Sequence, residues 1–314
     1  MYDKVSLWLD REDIRGEMSL ISNHLCNVEE VVNRETGEVK TRGKLDNLRV
    51  SVCCGGCYVV GSLAGYYNTN NIYPVDRGTT KRAITKISDD LGVDVSKAKV
   101  TSLEFGTVLL LNNKVSEYLK CLGEMSSKFN RCNVSSDTLY YKKGNKQNPV
   151  VYAFYDKIKE VRTKGLSVPI GFESQHLLKY EIRLKGHLAR QLKMEDIKAS
   201  TLHDNFFYQM LLDKWRDDYF AIEKRKQIDF ASIGKIKTVK DAIYVYFAAL
   251  EGEDVCKDSS FIEALKNANV FSNRTDYYRV RLKLQEIRNN NPLAVSDKLI
   301  KELDNAVLNT CAYT

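Results

Sequence analysis

The chain is poor in proline: four in 314 residues, too few for a long proline-rich linker. No apolar run approaches the ~20 residues of a membrane-spanning helix. No internal repeat or low-complexity stretch is present. The first residues, Met1 to Trp8, go straight into strand-like alternation and do not read as a secretory leader, so the expectation is a protein that stays in the cytoplasm where it is made. The eight cysteines, at 26, 53, 54, 57, 121, 132, 256 and 311, follow no zinc spacing. Cys54 and Cys57 form a CxxC, but no second pair and no nearby histidine completes it. Free thiols are expected.

Hydrophobic residues make up 43% and charged residues 28%, which fits a globular protein with room for one large domain and a smaller one. The net charge of +7 is concentrated. Residues 141–200 hold 13 Lys+Arg against 6 Asp+Glu, leaving 35 of each sign elsewhere. A local basic surface suits a polyanion, because each neutralised phosphate releases counterions.

Along the chain, Val5, Leu7 and Leu9 alternate with polar neighbours as a first strand. Arg34 to Glu38 reads as a turn on Gly37. Asn47–Val52 and Tyr58–Ser62 read as a hairpin across Gly55 and Gly56. Gly61 to Asn71 reads as a small-residue, amide-rich loop, and Ser62, Tyr66, Asn70 and Asn71 in it are candidates for holding phosphates or bases. Thr79 or Thr80 is expected to cap a helix to Leu91, with Ala83, Ile84, Ile87 and Leu91 on one face and Gly92 as its stop. Lys99–Leu111 reads as a long strand with Leu103, Phe105 and Leu109 on one side and Ser102, Glu104 and Gly106 on the other. A short helix around Val115–Leu122 follows, then a hairpin, Asp137–Lys142 with Val150–Tyr155. In Lys179–Lys185, Tyr180, Ile182 and Leu184 face the core and Glu181, Arg183 and Lys185 face away. Asp204 caps a helix whose apolar face is Tyr208, Leu211, Leu212, Trp215 and Tyr219.

The fold class expected is α+β: a mostly antiparallel sheet, helices on one face, the other face open to a ligand. Residues 1–229 form this domain. Residues 236–314 form a small all-helical region, with helices over 239–250, 260–268 and 276–287, Thr275 as a cap, and a basic face of Arg279, Arg281 and Lys283.

The chain is organised around Val150–Glu160, a Val/Tyr/Phe strand that exits into a polar segment. Tyr155 stands at that exit with Lys157 two residues on. A cation beside a tyrosine favours phenolate and makes a nucleophile of it. Tyr152 is the reserve. Glu104 and Glu181 project from strands, and two carboxylates brought close need a proton or a cation between them. Oxygen donors favour Mg²⁺ or Mn²⁺.

Four stretches, Gly61–Asn71, Val100–Glu104, Val150–Lys157 and Leu178–Lys185, resemble the phage and plasmid replication initiation proteins of the gene II/gene X type, relatives of the HUH nicking–joining enzymes. The resemblance covers roughly residues 1–229. It implies rolling-circle initiation: metal-dependent cutting of one strand at an origin in single-stranded or supercoiled DNA, a 5′-phosphotyrosine, priming from the free 3′-OH, and later rejoining. Host helicase and polymerase are the implied partners. Carried onto this chain, Tyr155 is the nucleophile, Lys157 assists it, Glu104 and Glu181 hold the metal, and Arg183 and Lys185 hold phosphate. The four histidines, at 24, 176, 187 and 203, make no His-hydrophobe-His motif, so acidic ligands would replace it. A one-residue shift would set Phe154 in the tyrosine's place. The alternatives are a non-catalytic origin-binding protein or repressor of the same fold, and a purely partner-binding protein.

Overall fold

The computed structural model describes residues 1–14, 18–68, 72, 75–144, 149–225, 266–267, 271, 273–289 and 296–312. Two compact units result. One comprises Met1–Leu119, Glu124–Ile222 and Asn305–Thr314; the other comprises Lys120–Gly123 and Glu223–Asp304.

The first unit is built on a ten-stranded antiparallel sheet. Its strands are β1 (Tyr2–Asp10), β2 (Cys26–Val32), β3 (Val39–Leu45), β4 (Leu48–Cys53), β5 (Gly56–Ser62), β6 (Lys99–Leu111), β7 (Asn130–Ser135), β8 (Thr138–Lys143), β9 (Val150–Asp156) and β10 (His176–Lys185). The order across the sheet is β2-β3-β4-β5-β1-β6-β10-β9-β8-β7. Each half is a meander of hairpins, and β1, β6 and β10 join the halves. The helices are α1 (Ser19–Ser22), α2 (Leu63–Asn68), α3 (Arg77–Leu91), α4 (Val115–Lys120), α5 (Lys157–Thr163), α6 (Leu188–Leu192) and α7 (Asn205–Phe220). The α+β sheet with one open face is as the alternation predicts.

Period two decides what each face becomes. Tyr180, Ile182 and Leu184 of β10 point at α7, where Tyr180 stacks on Trp215 at 4.7 Å and the two exchange side-chain-to-backbone hydrogen bonds of 2.9 and 3.2 Å. Phe154 stacks on Tyr180 at 4.2 Å from the same side. Tyr2, Phe105 and Tyr208 meet edge-to-face, at 5.2 to 5.7 Å. This aromatic layer is the core. Asp204 caps α7 by accepting from Phe207 N at 2.9 Å, as expected.

Gly106 is required by close approach. A Cβ there would lie 2.1 Å from Tyr180 O and 2.4 Å from Glu181 Cα. Gly92, at φ 68°, terminates α3 as expected.

Several expectations are corrected. Gly61–Asn71 is not a loop throughout: β5 runs through Ser62 and α2 begins at Leu63, while Asn70 and Asn71 lie outside the described residues. Neither Thr79 nor Thr80 caps α3; Asp76 does, accepting from Thr79 N at 2.6 Å, because a carboxylate three residues before the first threonine reaches that free N–H. Strands β2, β3 and β7 escape the periodicity, since β2 is exposed along its whole length and has no apolar side to read. Among the described residues the cysteines are free thiols.

In the second unit, Arg225 N donates to Cys121 O at 2.7 Å and Gly123 N to Glu223 O at 2.7 Å. A helix spans Arg274–Asn289. Its start is held by Asn273, whose side chain accepts from Thr275 N at 3.0 Å, so Thr275 is inside the helix and not its cap. The expected helix over 239–250, and that over 260–268 apart from residues 266–267, lie outside the described residues. A further helix, Ser296–Ala312, was not expected; its Leu303 and Val307 are buried. Among the described residues no helix is long and apolar enough to cross a membrane.

Candidate active site

On the sheet face opposite α7, alternation places Lys179, Glu181 and Arg183 of β10 side by side, with Tyr155 of β9 across from Lys179 and Glu104 of β6 across from Arg183. The pairing of β1 with β6 slips between Tyr2 and Val5: three residues on β1 match two on β6. This bulge lets both Asp3 and Lys4 serve the polar face while Tyr2 and Val5 remain in the core.

A cleft of about 550 Å³ opens over these residues. Asp3, Glu104, Tyr155, Glu181 and Arg183 form its floor. Lys4, Lys44, Asn47, Arg49 and Lys164 are among its walls, and Ser62 and Glu160 also face it. Tyr155, Glu104, Glu181, Arg183 and Ser62 therefore come together, as the sequence reading requires.

The floor is a chain of charge pairs. Lys179 Nζ, 2% exposed, donates to Asp3 Oδ2 at 2.9 Å and stands 3.7 Å from Glu181 Oε2. Arg183 grips Glu181 Oε1 through Nε at 2.7 Å and Nη2 at 2.6 Å. The Tyr155 hydroxyl donates to the same oxygen at 3.4 Å. Ser62 Oγ donates to Asp3 Oδ1 at 2.7 Å. Burial opposes ionisation of Asp3, but the Lys179 ammonium and these hydrogen bonds outweigh it and hold the carboxyl at about 2. The same carboxylates outweigh the burial of Lys179 and keep its ammonium above the ordinary lysine range.

Two carboxylates in this floor are left incompletely satisfied. Glu104 is raised above the usual carboxylate range by burial and then by the nearby Glu181 charge. Glu181 Oε2 is buried without a hydrogen-bond partner. Asp3, Glu104 and Glu181 face Lys179 and Arg183 most directly, while Lys4 acts on Glu104 and Lys157 on Asp3. These oxygens suit one hard cation beside Glu104. They do not make a closed cage: among the described residues no three His, Cys, Asp or Glu side chains are grouped to hold a metal ion.

The expected activation of Tyr155 is corrected. Burial, then Glu181, Asp3 and Glu160, push its phenol well above the ordinary tyrosine range, and Arg183 offsets this only in part. Lys157 is fully buried and gives its ammonium to Glu160 Oε2 at 3.0 Å. Burial and neighbouring Lys179 lower its own pKa against the pull of Glu160. Lys157 begins α5, and its ammonium is given to Glu160 and not to the phenol.

The remaining candidates lie elsewhere. Tyr152 is on the α7 side, donating to Asp218 Oδ2 at 2.6 Å. Tyr66 is buried, its hydroxyl given to Asp90 beside Lys86. Lys185 is exposed at the end of β10 and does not line the cleft. Asp3, Lys179, Lys44 and Arg49 were missed. Lys179 was legible, sharing the parity of Glu181 in one strand. Asp3 was not, because a bulge cannot be read from alternation.

Comparison of the chain with protein-family models finds no match, and comparison with curated proteins finds none.

Proposed function

We propose that this protein is a rolling-circle replication initiator that nicks and rejoins one DNA strand, with Tyr155 as nucleophile. The reading rests on the convergence of Tyr155, Glu104, Glu181 and Arg183 in one open cleft walled by Lys4, Lys44, Arg49 and Lys164. The likeness to gene II/gene X initiators supplies the reaction class.

In this reading Tyr155 Oη attacks the scissile phosphorus. An Oη–P bond forms, the P–O3′ bond breaks, and the phenolic proton passes to Glu181 Oε1, to which it is already directed. The 3′ oxygen leaves with a proton from solvent and primes synthesis. Arg183, fixed by Glu181 and lying over the Tyr155 ring at 5.8 Å, offsets developing negative charge. Glu104 and Glu181 Oε2, which accepts no hydrogen bond, would hold a divalent ion, Mg²⁺ or Mn²⁺, which supplies polarisation of a phosphoryl oxygen when bound. The phosphotyrosine conserves the bond energy, so rejoining reverses the same steps.

The test is incubation with Mg²⁺ or Mn²⁺ and a supercoiled plasmid carrying the DNA that flanks the gene. Relaxed circles and a protein-linked 5′ end are expected, and Tyr155→Phe should give neither. No cleavage by the wild type, or equal cleavage by Tyr155→Phe, overturns the assignment.

The second reading, a non-catalytic origin-binding protein, is favoured by one observation: the phenol of Tyr155 is held against ionisation. It expects origin binding without nicking, and plasmid maintenance that survives Glu104→Ala with Glu181→Ala.

A further inference from the structure

Tyr155 does not stand at the end of one cleft; it stands between two. A second depression of about 400 Å³ lies on its other side, within the roughly 300–1,000 Å³ of small-ligand sites. Tyr155, Glu160, Arg183 and Lys164 line both. The two differ in chemistry. The first adds Lys4, Lys44 and Arg49 on its walls, with Asp3, Asp46, Glu104 and Glu181. The second adds Tyr140, Thr138, Thr163, Asp137, Asp156 and Lys159. Its added charges are largely used internally: Lys159 pairs with Asp137, and Asp156 Oδ1 accepts from Lys159 N at 2.9 Å as the cap of α5. Little is left there for a phosphate.

What the second depression offers is flat surface. Arg183 lies 5.6 Å from the Tyr140 ring and 5.8 Å from the Tyr155 ring. Its two N–H contacts to Glu181 Oε1 fix the guanidinium plane, so no ordering is needed when a ligand arrives. Tyr140 is half-buried and reaches this depression from β8. Planar rings beside a fixed guanidinium are a platform for a nucleobase, and the Thr138 and Thr163 hydroxyls near it suit the base edge.

We infer that the second depression is a nucleobase subsite, holding one unpaired base next to the scissile phosphate, with Tyr140 as its stacking residue. The inference deepens the nicking–joining reading and rests on it. The polyanionic backbone would lie in the first cleft and the adjoining base would turn into the second, which places the phosphate between them beside Tyr155. A single strand with one base splayed out fits both; a paired duplex leaves the second empty.

The experiment uses the full chain and single-stranded oligonucleotides that contain the mapped nick site. Binding is read by fluorescence anisotropy across a salt series, with a single abasic position moved along the strand. Tyr140→Ala should weaken binding about tenfold without changing the salt slope, and Tyr140→Phe should bind as wild type. One abasic position next to the nick should cost wild type the same about tenfold, and cost Tyr140→Ala nothing more. The abasic series on wild type stands even if Tyr140→Ala folds poorly. Wild-type nicking with no abasic position that matters, or with additive losses from Tyr140→Ala and the abasic site, overturns this inference and leaves the nicking reading intact. An absence of nicking and of salt-dependent binding overturns both.

Discussion

At the middle of β10 the two faces of the sheet are buried to the same degree and by opposite chemistry. Along β10, Lys179 is 2% exposed, Tyr180 0% and Glu181 1%. Tyr180 is buried by ring stacking, which removes apolar surface from water and stabilises. Its neighbours are buried as ions, and removing ions from water costs about as much as their mutual attraction returns. One face holds the fold together. The other is tolerated by the fold and is where reaction chemistry would be placed.

The largest effects come from breaking each face with one change. Trp215→Ala should lose about 3–5 kcal/mol of stability in urea unfolding. Lys179→Met should lose a comparable ~3–5 kcal/mol, because Asp3 is left charged and unpaired. The faces part company in the double variant. Asp3→Leu with Lys179→Met should recover to within about 1 kcal/mol of wild type while nicking is lost. If the double variant is as unstable as the single, the charged face is as structural as the aromatic one and the contrast fails.

Acid sharpens the contrast next. Asp3 titrates at about 2 in the folded protein against 3.8 unfolded. Its contribution of roughly 2 kcal/mol is fully present above pH ~4 and fades as pH falls toward 2. Asp3→Asn should flatten that limb of the stability–pH curve, measured by thermal melts. Glu104 has the opposite sign. Its folded pKa is raised, so it favours the folded state below its unfolded pKa and is a liability as pH rises through the folded value. Glu104→Gln should therefore raise the melting temperature at pH 7. Mg²⁺ should raise that of wild type and not of the variant, and equal shifts would place the cation elsewhere.

The smallest effects belong to the rim. Lys44→Ala and Arg49→Ala, both exposed, should leave melting unchanged and each reduce the slope of log K against log salt by about 1. An unchanged slope would take the phosphate backbone out of the first cleft.

The aromatic face was legible in the sequence almost residue by residue, because helix and strand periods alone assign Tyr180, Trp215 and Tyr208 to a common core. Half of the charged face was legible too: parity in β6 and β10 sets Glu104, Glu181 and Arg183 on one side, and parity in β9 separates Tyr155 from Tyr152. The rest depends on tertiary facts. Asp3 arrives through a bulge, Lys44 and Arg49 through the pairing of β3 with β4 that sets them opposite each other, and the true partner of Lys157 through the helix that begins at that residue. Local spacing carries no record of these.

The hydrogen bond from Lys179 to Asp3 links strands 176 positions apart. During synthesis, β1 can zip onto β5 early, but the carboxylate at its head must wait for β10 to leave the ribosome. Until then β6 has a bare margin, and an unpaired strand margin invites pairing with the wrong chain. A nascent chain that stalls before residue 179 would carry a completed first meander, no charged cleft floor, and an adhesive edge. Growth rate and chaperone supply would then govern how much competent protein a cell obtains.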